Sequence, residues 1–220
     1  EKTIESSYKS SISNIWNDRV AKHQEYTAKI PFSDFKVFDF ICQNVPKNSQ
    51  LQVSNSSAIR YLQLFDLDKS IQVFCNRGTS GIDGSTSTAI GAALATNLPT
   101  ILITGDISFL YDSNALWNNY IPKNFKIILL NNSGGGIFRI LPGHQETETF
   151  NRYFETSHQL NASHLAKMYG FDYFEANDEA TLQQQYKSFL NQNEKPSILE
   201  IFTPEKENNG ILLEFFRGLK

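Results

Sequence analysis

Cysteine is scarce in this chain. Cys42 and Cys75 are the only two in 220 residues, with neither the density of a disulfide framework nor a metal-ligand spacing. That scarcity argues against a disulfide-stapled scaffold and points to a reducing cytoplasm. Long apolar runs are also missing: none approaches the roughly 18–20 residues of a membrane span, and no signal peptide opens the chain, so no membrane span is expected. A surplus of positive charge is absent as well. The net charge of -3 and a pI near 5.8 give no electrostatic case for nucleic acid or an anionic membrane as partner. His144, His158 and His164 form neither a ligand spacing nor a triad and take no role. Internal repeats and low-complexity tracts are not found. The chain begins with Glu1 in place of methionine, which suggests a fragment.

What is present is an ordinary globular composition, 40% hydrophobic and 20% charged, long enough for one sizeable domain plus an appendage. The first 30 residues are polar, with Ile12, Ile15, Trp16 and Val20 at helical spacing; they read as an amphipathic helix or linker ahead of Pro31. Ser33-Asp34 caps a predicted helix over 35–44, which buries Val37, Phe38, Phe40 and Ile41. Strands are predicted over 51–54, 71–74, 99–104, 125–130, 173–174 and 197–202. Helices are predicted over 58–65, 85–96, 113–120, 163–169 and 179–191. Alternating helices and largely apolar strands imply a doubly wound α/β fold, with a mainly parallel sheet and helices on both faces. Residues 1–31 read as a linker or helix from a preceding domain, and residues 32–220 as the functional domain.

Chemistry is most legible after two of those strands. Gly105-Asp106-Ile107-Ser108 and Asn131-Asn132-Ser133-Gly134-Gly135-Gly136 each follow an apolar run, with space between for one short crossover helix. Two parallel strands then end at one sheet edge, the place where open α/β sheets bind ligands. Magnesium takes about six oxygen ligands and shares them with substrate phosphates. The Asp106 carboxylate, the Asn132 side-chain carbonyl and a backbone carbonyl near Gly134 supply half such a shell. Glycine-rich turns beside helix N-termini expose N–H groups that suit phosphate. The Gly78/Gly81/Gly84 loop lacks the dinucleotide fingerprint spacing. Arg60 and Arg77 each lie beside a polar loop at the same predicted edge, where a guanidinium suits a carboxylated substrate.

Gly-Asp followed 26 residues later by Asn-Asn resembles the cofactor motif of thiamine-diphosphate enzymes, although most of that family reads Gly-Asp-Gly where this chain has Gly105-Asp106-Ile107. The flanking residues narrow the resemblance to the menaquinone-biosynthesis branch: Asn76-Arg77-Gly78-Thr79-Ser80-Gly81-Ile82-Asp83-Gly84, then Ser108-Phe109-Leu110-Tyr111-Asp112, then Gly136-Ile137-Phe138 with Leu141-Pro142, and Asn55-Ser56 with Arg60. It covers roughly residues 32–203. The resemblance implies thiamine diphosphate with Mg2+ or Mn2+ at Asp106, Asn132 and Gly134. It implies cofactor contacts from Ser56, Ser80, Gly81, Ile82, Gly105, Ile107, Ser108 and Ile137, with Ile82 as the apolar wedge under the bent cofactor. It implies substrate contacts from Arg60, Arg77, Ile137 and Phe138.

The implied reaction is decarboxylation of 2-oxoglutarate and addition of the resulting carbanion to isochorismate, in a cytoplasmic homo-oligomer. Family members activate the cofactor with a glutamate from the pyrimidine-binding domain of a neighbouring subunit. No counterpart is found in this sequence, so the chain resembles the C-terminal part of such an enzyme and is expected to be inactive alone. The competing readings are another thiamine-diphosphate 2-oxo-acid decarboxylase, an acetolactate-synthase-like enzyme, and a non-catalytic nucleotide-binding module.

Overall fold

Six strands form one parallel sheet in the order β2-β1-β3-β4-β6-β5 in the computed structural model, which describes residues 7–219. The strands are β1 Gln50–Val53, β2 Gln72–Cys75, β3 Thr100–Gly105, β4 Lys126–Asn131, β5 Asp172–Ala176 and β6 Ser197–Phe202. The helices are α1 Ser7–Lys29, α2 Asp34–Asn44, α3 Ser57–Leu62, α4 Ser85–Leu94, α5 Asp106–Tyr111, α6 Glu148–Phe150, α7 Ser163–Tyr169, α8 Glu179–Asn191 and α9 Asn208–Gly218.

β3, β4 and β6 are covered on both faces, which is why they read as continuous apolar runs rather than alternating ones. Successive side chains still part to opposite sides. Ile101, Ile103, Ile128, Leu130, Leu199 and Ile201 meet Phe35, Phe38 and Ile41 of α2, Tyr61 of α3, Phe189 of α8 and Phe215 of α9. Leu102, Ile127, Leu129 and Ile198 meet Ala89 and Ile90 of α4, Phe109 of α5 and Ala166 of α7. Helices therefore cover both faces, and the doubly wound parallel sheet is the architecture observed.

Several elements differ from the sequence expectation. The crossover from β3 does not wait for residue 113: α5 starts at Asp106, and a 3-10 turn, Ser113–Trp117, follows it. A carboxylate in a helix's first turn is favoured by the helix dipole, and Asp106 Oδ1 also accepts the Ile107 N–H at 2.7 Å. Asp112 then ends α5 by accepting the N–H and Oγ–H of Ser87, both at 2.6 Å. α3 stops at Leu62 rather than 65. α9 has no sequence signal at its polar start and forms because Ile211, Leu212 and Phe215 are buried, Phe215 against Phe35 of α2 and His23 and Tyr26 of α1. α1 is a helix as expected, but Ile12, Ile15 and Trp16 (57% exposed) face away from the described core. It packs instead through His23 and Tyr26, whose rings meet Phe35 and Phe215, and Tyr26 Oη donates to Ile211 O at 2.6 Å. No helix among the described residues is long and apolar enough to cross a membrane.

At the N-terminal edge of the sheet, opposite the strand ends discussed below, Lys126 is buried. Its Nζ donates to Gln192 O and to Ser197 Oγ and lies 5.3 Å from the Phe189 ring centroid. Burial pushes its pKa down to about 8, with Asp172 pulling the other way. The unfolded chain, with a lysine near 10.4, then holds the extra proton between about pH 8 and pH 10.4, so folding is favoured as pH rises through that window. We expect wild type to gain stability over Lys126→Met between about pH 7.5 and pH 10 in urea unfolding. A stability difference flat with pH would refute this.

Candidate active site

The carboxyl ends of β1, β2, β3 and β4 are neighbours in the sheet and share one cavity of about 580 Å3, within the usual range of roughly 300–1,000 Å3 for small-molecule sites. The sheet order turns back between β1 and β3, the switch point where doubly wound folds open a crevice. Four loops build the walls, and every residue given a metal, cofactor or substrate role from the sequence lines this cavity.

The loop after β1 contributes Ser56, which holds φ 72° and ψ -132°, a conformation that costs on the order of 1–3 kcal/mol for a non-glycine residue. Arg60, one turn into α3, donates from Nη1 to Ser56 O at 2.7 Å, so its guanidinium lies over the start of its own helix. Buried Asn55 braces the next loop: its Nδ2 donates to Ser80 O, and its Oδ1 accepts Arg77 Nη1 at 2.9 Å. After β2, Ser80 (φ 61°) and Gly81 lead to Ile82, whose carbonyl accepts Ser108 Oγ at 2.5 Å. Gly84, at φ 70°, then starts α4. Positive φ at Ser56, Ser80, Ser133 and Thr156 puts four of the five such non-glycine residues among those described on loops at this cavity, the distribution expected where surrounding structure holds a binding surface.

The ends of β3 and β4 meet directly. Gly105 pairs with Leu130 in the register, so Asp106 leaves β3 level with the end of β4 and Asn132 follows just past it; both line the cavity. Asp106 Oδ2 accepts the Gly134 N–H at 2.9 Å, tying the two loops together. A Cβ added to Gly105 would meet nothing within 4 Å, so this glycine leaves room in the cavity. Gly134 and Gly135 are glycines for the opposite reason. A Cβ on Gly134 would lie 2.8 Å from Glu155 O, and one on Gly135 would lie 3.1 Å from Phe154 O. That pressure comes from a segment for which the sequence suggested no element: α6 and a π-helical turn, Asn151–Glu155. Gly135 N donates to Glu155 O at 2.6 Å, and His158 N to Ser133 O at 3.1 Å. The Glu155 carboxylate makes a two-pronged ion pair with Arg139, which follows Ile137 and Phe138 on a 3-10 turn.

Sequence reasoning missed three groups here. His158, given no role, places Nε2 3.2 Å from Asp106 Oδ2, and that carboxylate raises its pKa against the effect of desolvation. The Arg139–Glu155 pair was not anticipated. Asp34 looked like part of a helix cap; Ser33 is the N-cap, while Asp34 also turns its carboxylate to the site, where Oδ2 accepts Asn132 Nδ2 at 2.9 Å. Burial pushes the Asp34 carboxyl up to about 6, with the Asp106 charge adding and hydrogen bonds from Thr203 and Asn132 opposing. No local pattern links position 34 to 132.

Among the described residues no three His, Cys, Asp or Glu side chains gather to hold a metal. The oxygen set here is one carboxylate, one side-chain amide and backbone carbonyls. It suits a hard cation that completes its shell with phosphate and water, and does not suit a soft or redox metal.

A parallel α/β sheet with a cavity at its switch point is the arrangement in which doubly wound domains bind small molecules. Residues 55–201 match the family described as thiamine pyrophosphate enzyme, C-terminal TPP binding domain, and the chain belongs to that family. It is 63% identical over 216 residues to a 2-succinyl-5-enolpyruvyl-6-hydroxy-3-cyclohexene-1-carboxylate synthase of Flavobacterium johnsoniae, covering 98% of this chain and 39% of that protein. It is 64% identical over 217 residues to the protein of that name from Flavobacterium psychrophilum, covering 99% and 39%. With the one from Christiangramia forsetii the identity is 56% over 207 residues, covering 94% and 36%. The chain thus spans about two fifths of the length of these curated relatives.

Proposed function

We propose that this chain is the diphosphate-binding part of a thiamine-diphosphate-dependent synthase of menaquinone biosynthesis. The enzyme would decarboxylate 2-oxoglutarate and add the resulting carbanion to isochorismate, in the cytoplasm. The observation that carries this reading is the meeting of Asp106, Asn132 and Gly134 at adjacent strand ends, in a cavity with Arg60 and Arg77 on its wall. The high identity to synthases of that name supports the choice of branch.

The donor set fits Mg2+ or Mn2+ together with a diphosphate: Asp106 would supply the charge, Asn132 a side-chain oxygen and Gly134 a backbone oxygen. The room left by Gly105 fits a diphosphate lying close to the backbone. Bound thiamine diphosphate would supply the electron sink for decarboxylation. The chain's own residues position and desolvate. Ile82 would offer an apolar wedge, Ser56, Ser80, Gly81, Ile107 and Ser108 would line the cofactor's space, and Ile137 with Phe138, on the same cavity wall, would exclude water from the reacting carbon. Arg60 and Arg77 would pair with substrate carboxylates. The activating glutamate would come from the pyrimidine-binding domain of a neighbouring subunit, which makes the working enzyme a homo-oligomer.

Calorimetry tests the cofactor reading: thiamine diphosphate is expected to bind more tightly with Mg2+ than without, and ATP and NAD not to compete. Binding indifferent to Mg2+ would sink the metal site. In the assembled enzyme, Arg60→Ala is expected to lower kcat/KM for isochorismate by about 10- to 100-fold, the worth of a charged hydrogen bond, with Mg2+-dependent cofactor affinity changed less than about twofold. The reverse pattern would mean that Arg60 serves the cofactor, and would favour a different 2-oxo-acid enzyme.

A further inference from the structure

We propose that Asp34 is a positioning residue that sets which atom of Asn132 faces the metal; this rests on the metal-site reading above. An asparagine amide can present either its oxygen or its NH2 group, and only the oxygen can ligate a cation. An ionised carboxylate accepts hydrogen bonds and cannot donate them. With Asp34 Oδ2 2.9 Å from Asn132 Nδ2, the NH2 is drawn toward Asp34. The carbonyl oxygen, which accepts no hydrogen bond among the described residues, is left on the other side of the amide.

Asp34 is itself held from independent directions. Its Oδ1 accepts Thr203 Oγ1 at 2.6 Å, just past the end of β6, and its backbone N–H donates to Asn208 Oδ1 at 2.9 Å, in α9. Asn208 Nδ2 in turn donates to Pro204 O at 2.8 Å. The carboxylate is 3% exposed, so solvent does not offer the amide a competing acceptor there. Partners that orient a metal ligand in this way typically change metal affinity by about 10- to 100-fold when removed.

The test is a double-mutant cycle read by Mn2+ binding, followed by loss of the free-ion electron paramagnetic resonance signal in the presence of thiamine diphosphate. No turnover is needed. Asp34→Asn is expected to weaken Mn2+ binding at least about tenfold in the otherwise wild-type chain, and by less than about twofold when Asn132 is already Ala. Thr203→Val, which also removes a hydrogen bond from Asp34 but leaves the Asn132 contact, is expected to keep Mn2+ affinity within about threefold, whatever it does to thermal stability.

If Asp34→Asn binds Mn2+ as wild type does, or if its loss simply adds to that of Asn132→Ala, the proposal is overturned while the metal site stands. If wild type and Asp106→Ala bind Mn2+ equally poorly, the metal-site reading fails and takes the proposal with it. Should Asp34→Asn not fold, hydrogen exchange in the wild-type chain decides. The Asn132 side-chain NH2 is expected to remain protected with Mg2+ and thiamine diphosphate bound, and exchange at the free-amide rate overturns the proposal.

Discussion

Replacing Asp106 with Ala is expected to remove the Mg2+ dependence of thiamine diphosphate binding, with at least about a hundredfold loss of affinity in the presence of the metal. Asp106 is the only anionic protein member of the proposed ligand set, and without it the chain offers the ion no charge to offset the cost of leaving water, only the diphosphate's own. The substitution also strips the Gly134 N–H of its acceptor. An unpaired buried N–H costs about 1–3 kcal/mol. Against that, the metal-free protein loses the repulsion between Asp106 and buried Asp34, so its unfolding free energy is expected to shift by no more than about 1–2 kcal/mol. Asp106→Asn separates the two effects, because its side-chain oxygen can still accept from Gly134 while the charge is gone. Calorimetry with and without a chelator provides the measurement. A variant that stays as chelator-sensitive as wild type would show that the metal is held elsewhere.

Glu155→Ala is expected to destabilise the protein by about 3–5 kcal/mol, because it leaves Arg139 charged, buried and without its two-pronged partner. The Arg139 side chain is 5% exposed and that of Glu155 1%, so water cannot replace the lost carboxylate. The more distant Glu146, 3.6 Å from the guanidinium and half exposed, compensates only in part. The damage is expected to reach the site as well. The backbone of Glu155 holds Gly135 and fills the space where Gly134 would carry a Cβ, so loosening the turn is expected to free the loop that carries Gly134 of the proposed metal site. Replacing both partners, Arg139→Met with Glu155→Leu, is expected to recover most of the stability, since a filled apolar pair has no stranded charge. Denaturant unfolding of the three proteins, with cofactor binding measured alongside, checks both points. A loss below about 1 kcal/mol for the single variant would refute the account.

Much of the fold was readable because its signals are local. Apolar runs bounded by polar turns marked β3, β4 and β6, and α8 runs over the residues its spacing indicated. The strand-end loops were readable for the same reason: Gly-Asp and Asn-Asn-Ser-Gly each follow a run too apolar to lie anywhere but inside, and a short crossover makes neighbouring strands parallel. Where local signals conflicted with tertiary ones, the tertiary ones won. The local pattern places the crossover helix over 113–120, yet it begins at Asp106, where the buried environment of Phe109 and the Asp106 carboxylate's hydrogen bond to the Ile107 N–H favour a helix over 106–111. Ile12, Ile15 and Trp16 form an apolar stripe, but among the described residues nothing buries it.

The sequence by itself thus determined a doubly wound parallel sheet and an oxygen-rich pair of strand ends suited to a cation and a diphosphate. Only the tertiary structure decided what surrounds that pair. Asp34 reaches Asn132 across 98 positions, Glu155 presses on Gly134 from a turn with no pattern of its own, and His158 comes to rest beside Asp106. Periodicity and turn chemistry act over a few residues and are written in order along the chain. Which distant carboxylate ends beside which amide depends on how whole layers bury their apolar faces, and that is settled only when the sheet and its helices close together.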